Sequence, residues 1–135
     1  MIDMEIDHIG LLVKNIEKEL SIYEKLGYTK IGKIFQDNNQ MMRGQFLKPL
    51  KGDGYLIELI EDLSDSKSLQ KILNSQNGKI YHLAFKVENL EKNIDEILKQ
   101  LNGRVLSPIK NGEYFKKVCF IFLQNAQIIE LVEHK

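Results

Sequence analysis

The sequence predicts an α+β fold built from two tandem βαβββ modules within one domain. Three observations carry the prediction. Ile6–Lys18 recurs as Ile80–Lys92 at an offset of 74, with Ile6/Ile80, His8/His82, Val13/Val87, Asn15/Asn89, Glu17/Glu91 and Lys18/Lys92 identical. A second pair follows each copy, Leu56–Glu61 (LIELIE) and Ile128–Glu133 (IIELVE). Between these anchors both halves run through the same order of apolar strand patterns and one helical stripe, and such self-similarity marks a repeated structural unit.

Taken in order, Ile6–Val13 is short, apolar and β-branched, the pattern of a buried strand. Asn15 is placed to cap a helix whose apolar face is Ile16, Leu20, Tyr23 and Leu26, with Gly27 just past its end. Thr29–Gln36 and Met41–Lys48 read as strands around an Asp37-Asn38-Asn39 turn. Pro49 to Gly54 supplies hairpin-loop residues before the strand Tyr55–Glu61. The first module spans 5–61, and a polar linker over 62–77 carries Leu69, Ile72 and Leu73 at the spacing of one short helix. The second module spans 78–133: strand Lys79–Val87, cap Asn89, the stripe Leu90, Ile94, Ile97, Leu98 and Leu101, and the stop Asn102-Gly103. Strands then follow at Arg104–Ile109, Lys116–Leu123 and Ala126–Val132, separated by Asn111-Gly112 and Gln124-Asn125.

Bulk properties bound the function. With 19 basic and 19 acidic residues the formal net charge is zero, which argues against a nucleic-acid partner or an anionic membrane. The single Cys119 excludes an internal disulfide, and its VCFIFL setting suits a buried, inert thiol. The acidic N-terminus has neither a basic stretch nor an apolar core, so no export signal is expected and the expected location is cytoplasmic. No apolar run reaches membrane-spanning length.

Strand side chains alternate faces, so Glu58 shares a face with Leu56 and Ile60, and Glu130 with Ile128 and Val132. Each carboxylate is the polar centre of an apolar row, a position that is costly unless the charge is paired or binds a metal. His8 and His82 sit likewise among Ile, Leu, Gly and Ala. Taken singly, each His suits a satisfied core imidazole and each Glu a solvated strand end. Together they place one His and one Glu at equivalent points of both halves, 50 and 48 residues apart. Related by a pseudo-two-fold axis, the four converge as a two-nitrogen, two-oxygen set. That set suits one divalent Zn, Ni, Co, Mn or Fe ion, acting as a Lewis acid. Weaker candidates are Arg43, for an anionic substrate group, and Tyr114 and Phe115, in a loop able to cover a pocket. Glu61, Glu133, Lys14 and Lys86 are expected to be solvated, and His134 to be a tail residue.

Asp7-His8-Ile9-Gly10, the doubled βαβββ pattern and the closing Ile129-Glu130-Leu131-Val132-Glu133 resemble the vicinal oxygen chelate superfamily, which includes glyoxalase I, methylmalonyl-CoA epimerase, extradiol dioxygenases and antibiotic-resistance proteins. The resemblance covers essentially the whole chain. It implies a curved, barrel-like mixed sheet forming a cup with helices outside. It also implies a metal held by His8, Glu58, His82 and Glu130, with Glu58 and Glu130 also catalytic. The implied reaction is a lyase or isomerase proton transfer next to a carbonyl, resembling glyoxalase I, on a small molecule such as a thiol hemithioacetal, in a homodimer. An acyl-CoA thioester epimerase of the methylmalonyl-CoA type is the alternative, and a non-catalytic binding protein of the same fold a third. Leu12 and Asp62 stand where glyoxalase I usually has Arg and Asn, Glu58 where epimerases commonly have Gln, and 42–46 lack the carboxylate epimerases carry there.

Overall fold

The computed structural model describes residues 2–65 and 80–135. The first module is β1 (Glu5–Leu12), α1 (Ile16–Lys25), β2 (Tyr28–Asp37), β3 (Met42–Pro49) and β4 (Leu56–Asp62). The second is β5 (Ile80–Lys86), α2 (Leu90–Leu101), β6 (Arg104–Val105), β7 (Lys110–Asn111), β8 (Lys117–Phe122) and β9 (Ile128–Glu133). The short helix expected around Leu69–Leu73 lies outside the described residues.

All described strands join one mixed, curved 9-stranded sheet in the order β2-β3-β4-β1-β5-β9-β8-β6, with β7 also paired to β8. The order is a palindrome of the two modules. Each opens with a central strand, β1 or β5, that pairs parallel with the last strand of its own module, β4 or β9. The two central strands pair antiparallel with each other and form the seam. Of the predicted strand Arg104–Ile109 only Arg104–Val105 is a strand, and a second short segment, Lys110–Asn111, lies beyond its predicted end; both pair with β8. Pro108 lies between them, and proline has no N–H to give to a ladder.

The two described helices cover one face of the sheet. Asn15 and Asn89 each cap a helix, accepting from the backbone N–H of Lys18 and Lys92. Ile16, Leu20 and Tyr23 of α1 pack on Leu11, Leu47 and Leu59, while Leu90, Ile94 and Ile97 of α2 pack on Cys119, Ile121, Ile129 and Leu131. Full burial of an aliphatic such as Leu59 or Leu131 is worth about 1.5–3 kcal/mol. Those two residues therefore fix the strand faces. Their neighbours Glu58 and Glu130 are turned to the opposite, concave face, where Leu12, Met42 and Ile60, and Phe46, Phe115, Val118 and Val132, form the lining. No described helix is long and apolar enough to cross a membrane.

Candidate metal centre

The centre is laid out by sheet register. Glu58 on β4 is aligned with Gly10 on β1, and Gly10 with His82 on β5. In the mirrored row, His8 on β1 is aligned with Ala84 on β5, and Ala84 with Glu130 on β9. Gly10 and Ala84 are themselves repeat equivalents, 74 residues apart. Each row thus has a carboxylate and an imidazole flanking a small residue, and the long side chains arch over it. The need for a small residue is physical at Gly10, where a Cβ would overlap the His82 ring.

The four predicted residues meet in the concave face, all buried, with one ligand-type atom from each within 4.8 Å of the others. His8 Nε2 lies 3.2 Å from Glu58 Oε1, 3.3 Å from Glu130 Oε1 and 3.3 Å from His82 Nε2. His82 Nε2 lies 3.2 Å from Glu130 Oε1 and 4.0 Å from Glu58 Oε1. Two ligands each about 2.0–2.1 Å from one ion, at a tetrahedral angle, stand about 3.3–3.4 Å apart. Four of these five separations have that size, and the fifth is wider on the Glu58 side. Among the described residues Glu130 Oε1, although close to both imidazoles, has no hydrogen bond of proper geometry, and His82 Nδ1 has no partner. A buried carboxylate oxygen without a donor is costly, and a cation among these atoms removes the cost. The residues fit a divalent ion.

Electrostatics agree with a site built for positive charge. Burial alone would depress the His8 pKa, but the hydrogen bond to Asp7 and the adjacent carboxylates of Glu130 and Glu58 outweigh it and hold the imidazole well above its ordinary value. Burial would raise the Glu130 pKa, yet the adjacent His82 and His8 hold it well below the usual carboxylate range. Some positive species is therefore favoured between the rings, a proton where no metal binds.

Asp7 is a residue whose role the sequence reading missed. Its Oδ2 accepts from His8 Nδ1 at 2.7 Å, and its Oδ1 lies 2.5 Å from His134 Nε2. Register explains its place: Ile6 pairs with Phe85 and His8 with Ala84, so Asp7 is an extra residue in β1. Holding Nδ1 directs Nε2 toward the other three groups, the usual arrangement behind a metal-binding histidine. The only sequence signal was the acidic neighbour itself. His134, expected as a tail residue, pairs with Asp7 and packs on Phe115.

A cavity of about 170 Å³ opens beside the four groups, and both glutamates and His82 line it. Its wall includes the rings of Phe35, Tyr81, Tyr114, Phe115 and Phe120. Phe115 stacks on the His8 ring at 5.6 Å, Tyr114 stacks on Phe46 at 4.3 Å, and Phe120 stacks near Tyr81 at 5.7 Å. The 114–115 loop does line the pocket, as its sequence suggested. It is tied to the first module, because Glu113 N–H donates to Asp37 Oδ2. Arg43 is elsewhere: it pairs with Glu61 and Glu17 and is not in the cavity wall. Its paired carboxylates already supply the anions it was expected to seek in a substrate. Lys110, not singled out from sequence, is the cation among the described residues of the wall.

Glu61 and Glu133 are not solvated strand ends. Glu61 Oε2 accepts from the N–H of Ile16 and Glu133 Oε2 from that of Leu90, so each closes the first turn of its own module's helix. Cys119 is buried, and burial first, then the Glu130 charge, pushes its thiol up to about 11, in keeping with an inert core residue.

Comparison with known proteins supports the architecture. The fold matches methylmalonyl-CoA epimerase from Mycobacterium tuberculosis with a TM-score of 0.80 at 24% identity, over 96% of this chain and 87% of that one. It matches a hypothetical protein from Bacillus halodurans at 0.81 and 24%, over 99% and 96% of the two chains. A Streptomyces coelicolor methylmalonyl-CoA epimerase variant in complex with 2-nitronate-propionyl-CoA matches at 0.78 and 20%, over 96% of each. No curated protein matches the sequence. The sequence model of the glyoxalase/bleomycin resistance protein/dioxygenase superfamily matches residues 7–122. With the paired βαβββ modules and the site at their seam, the chain belongs to that superfamily, the vicinal oxygen chelate proteins.

Proposed function

We propose that this single-domain chain is a metal-dependent lyase or isomerase, resembling glyoxalase I, that moves a proton at a carbon next to a carbonyl. The observation that carries the reading is the convergence of two buried imidazoles and two buried carboxylates at the wall of an aromatic cavity. His8, Glu58, His82 and Glu130 would hold one divalent ion. When bound, it supplies Lewis-acid stabilisation of the charge that develops on a substrate oxygen.

The chain's own groups do the rest. Asp7 fixes His8. The rings of Phe46, Tyr114, Phe115 and Phe120 exclude water and strengthen every charge interaction inside. The proton moves to and from a carboxylate. Glu58 is 3.2 Å from His8 but 4.0 Å from His82, so it is the less tightly engaged of the two and takes the proton; Glu130, between both rings, is the second acceptor. No carboxylate on β3 competes for this role, since the segment Met42–Phe46 has none.

The test is elemental analysis followed by turnover. Purified protein is expected to carry one divalent ion per four-residue site and to convert hemithioacetals of methylglyoxal with a cellular thiol. Glu58→Gln and Glu130→Gln are each expected to lower kcat by about 10²-fold or more. A metal-replete protein inactive with every cellular thiol overturns the hemithioacetal reading. A second reading, an acyl-CoA epimerase, is supported by the likeness to the Streptomyces epimerase solved with an acyl-CoA ligand. It predicts solvent deuterium entering the α-carbon of methylmalonyl-CoA, and no exchange at full metal occupancy sinks it.

A further inference from the structure

The seam ladder between β1 and β5 holds a second extra residue. Gly10 pairs with His82 and Leu11 with Ile80, so Tyr81 has no partner across the ladder. In a regular strand Tyr81 and His82 would face opposite sides of the sheet. The bulge turns both to the concave side, and Tyr81 lines the same cavity as Glu58, His82 and Glu130. Its ring is held on three sides: edge-on to His82 at 4.9 Å, stacked near Phe120 at 5.7 Å, and packed on Leu12, Met42 and Ile60. Its hydroxyl makes no hydrogen bond with any described residue.

The chemistry of the surroundings gives that hydroxyl a use. Glu58, Glu130 and Asp62 in the wall are acceptors when ionised. They cannot stabilise negative charge gathering on a substrate. A phenol fixed by ring packing, beside the four-residue centre and with no acceptor for its O–H among the described residues, is a preorganised donor. We infer that Tyr81 is a further substrate-binding residue, donating a hydrogen bond to a second oxygen of a substrate whose first oxygen faces His8, Glu58, His82 and Glu130. The inference rests on the proposed metal reading.

Acetohydroxamate, a planar ligand with two adjacent oxygens, tests it on the full chain loaded with Co(II), whose visible spectrum reports both loading and ligand binding. Azide, which binds a metal ion through nitrogen and carries no oxygen, is the control. Tyr81→Phe keeps the ring and its packing. The expected result is unchanged Co(II) and azide affinity with about tenfold weaker acetohydroxamate binding. Equal acetohydroxamate affinity in the two proteins overturns the inference while leaving the metal reading intact. Parallel loss of Co(II), azide and acetohydroxamate binding also overturns it, since the phenol would then only support the site. A native protein that gives no Co(II) spectrum fails the metal reading itself, and the inference with it.

Discussion

Gly10 shows how much of the centre depends on an atom that is missing. It stands in register between Glu58 and His82, and the His82 ring occupies the space a Cβ would take. Gly10→Ala is therefore expected to push His82 out of line and weaken divalent-ion affinity by about tenfold or more, while an outer-shell change, Asp7→Asn, falls in the range of about 10–100-fold. Competition with a chelating dye measures both; an unchanged affinity in Gly10→Ala would show that the ring has room to move. At this scale the sequence was legible where residues repeat. His8, Glu58, His82 and Glu130 were visible because each has an equivalent in the other half. Asp7 and Tyr81 were not, because each is an extra residue in its strand, and alternation along a strand cannot reveal where an extra residue sits.

Among the elements, the strands that close each module serve two ends at once. Glu58 and Glu130 face the cavity, and three residues on, Glu61 and Glu133 reach across to the first backbone N–H of α1 and α2. Glu133 is 8% exposed, so its loss strands a buried donor. Glu133→Ala is expected to cost about 1–3 kcal/mol in urea denaturation, against a small effect for an exposed charge such as Glu88→Ala. Equal, small effects would mean that water replaces the carboxylate. The helices and most strands were readable from periodicity and caps. Two features were not. The break at Pro108 was hidden by Val105 and Leu106 before it and Ile109 after it, which read together as one strand. The caps by Glu61 and Glu133 span 45 and 43 residues of sequence, a separation that no local pattern encodes.

For the whole molecule, the palindromic sheet puts the β1–β5 seam between modules under the charged centre. The pKa of His8 in the metal-free protein is raised, so its protonation stabilises the fold fully below the ordinary imidazole value near ~6.5. That contribution is lost as pH rises through the higher folded-state pKa. A divalent ion needs the same nitrogen unprotonated, so its effect runs the other way. Added Co(II) is expected to raise Tm more at about pH 8 than at about pH 6, a difference read by calorimetry with and without the ion. An equal rise at both would place the ion away from His8. The repeat made this organisation legible in outline, since two copies of one module can share a site only where they meet. The seam itself, antiparallel between β1 and β5, is a matter of docking that neither copy specifies alone.

The two bulges on that seam bear on how such a scaffold gains new chemistry. Each adds a single residue at the boundary between modules, and each extra side chain meets a residue of the centre: Asp7 behind His8, Tyr81 beside His82. The strands still present the same faces to α1 and α2, because Leu11 and Leu59 in one module, and Ile129 and Leu131 in the other, keep their packing. An insertion of one codon at this boundary is therefore a way to place a functional group next to the centre without rebuilding either half. The ladder is a site of chemical novelty that the hydrophobic core does not register.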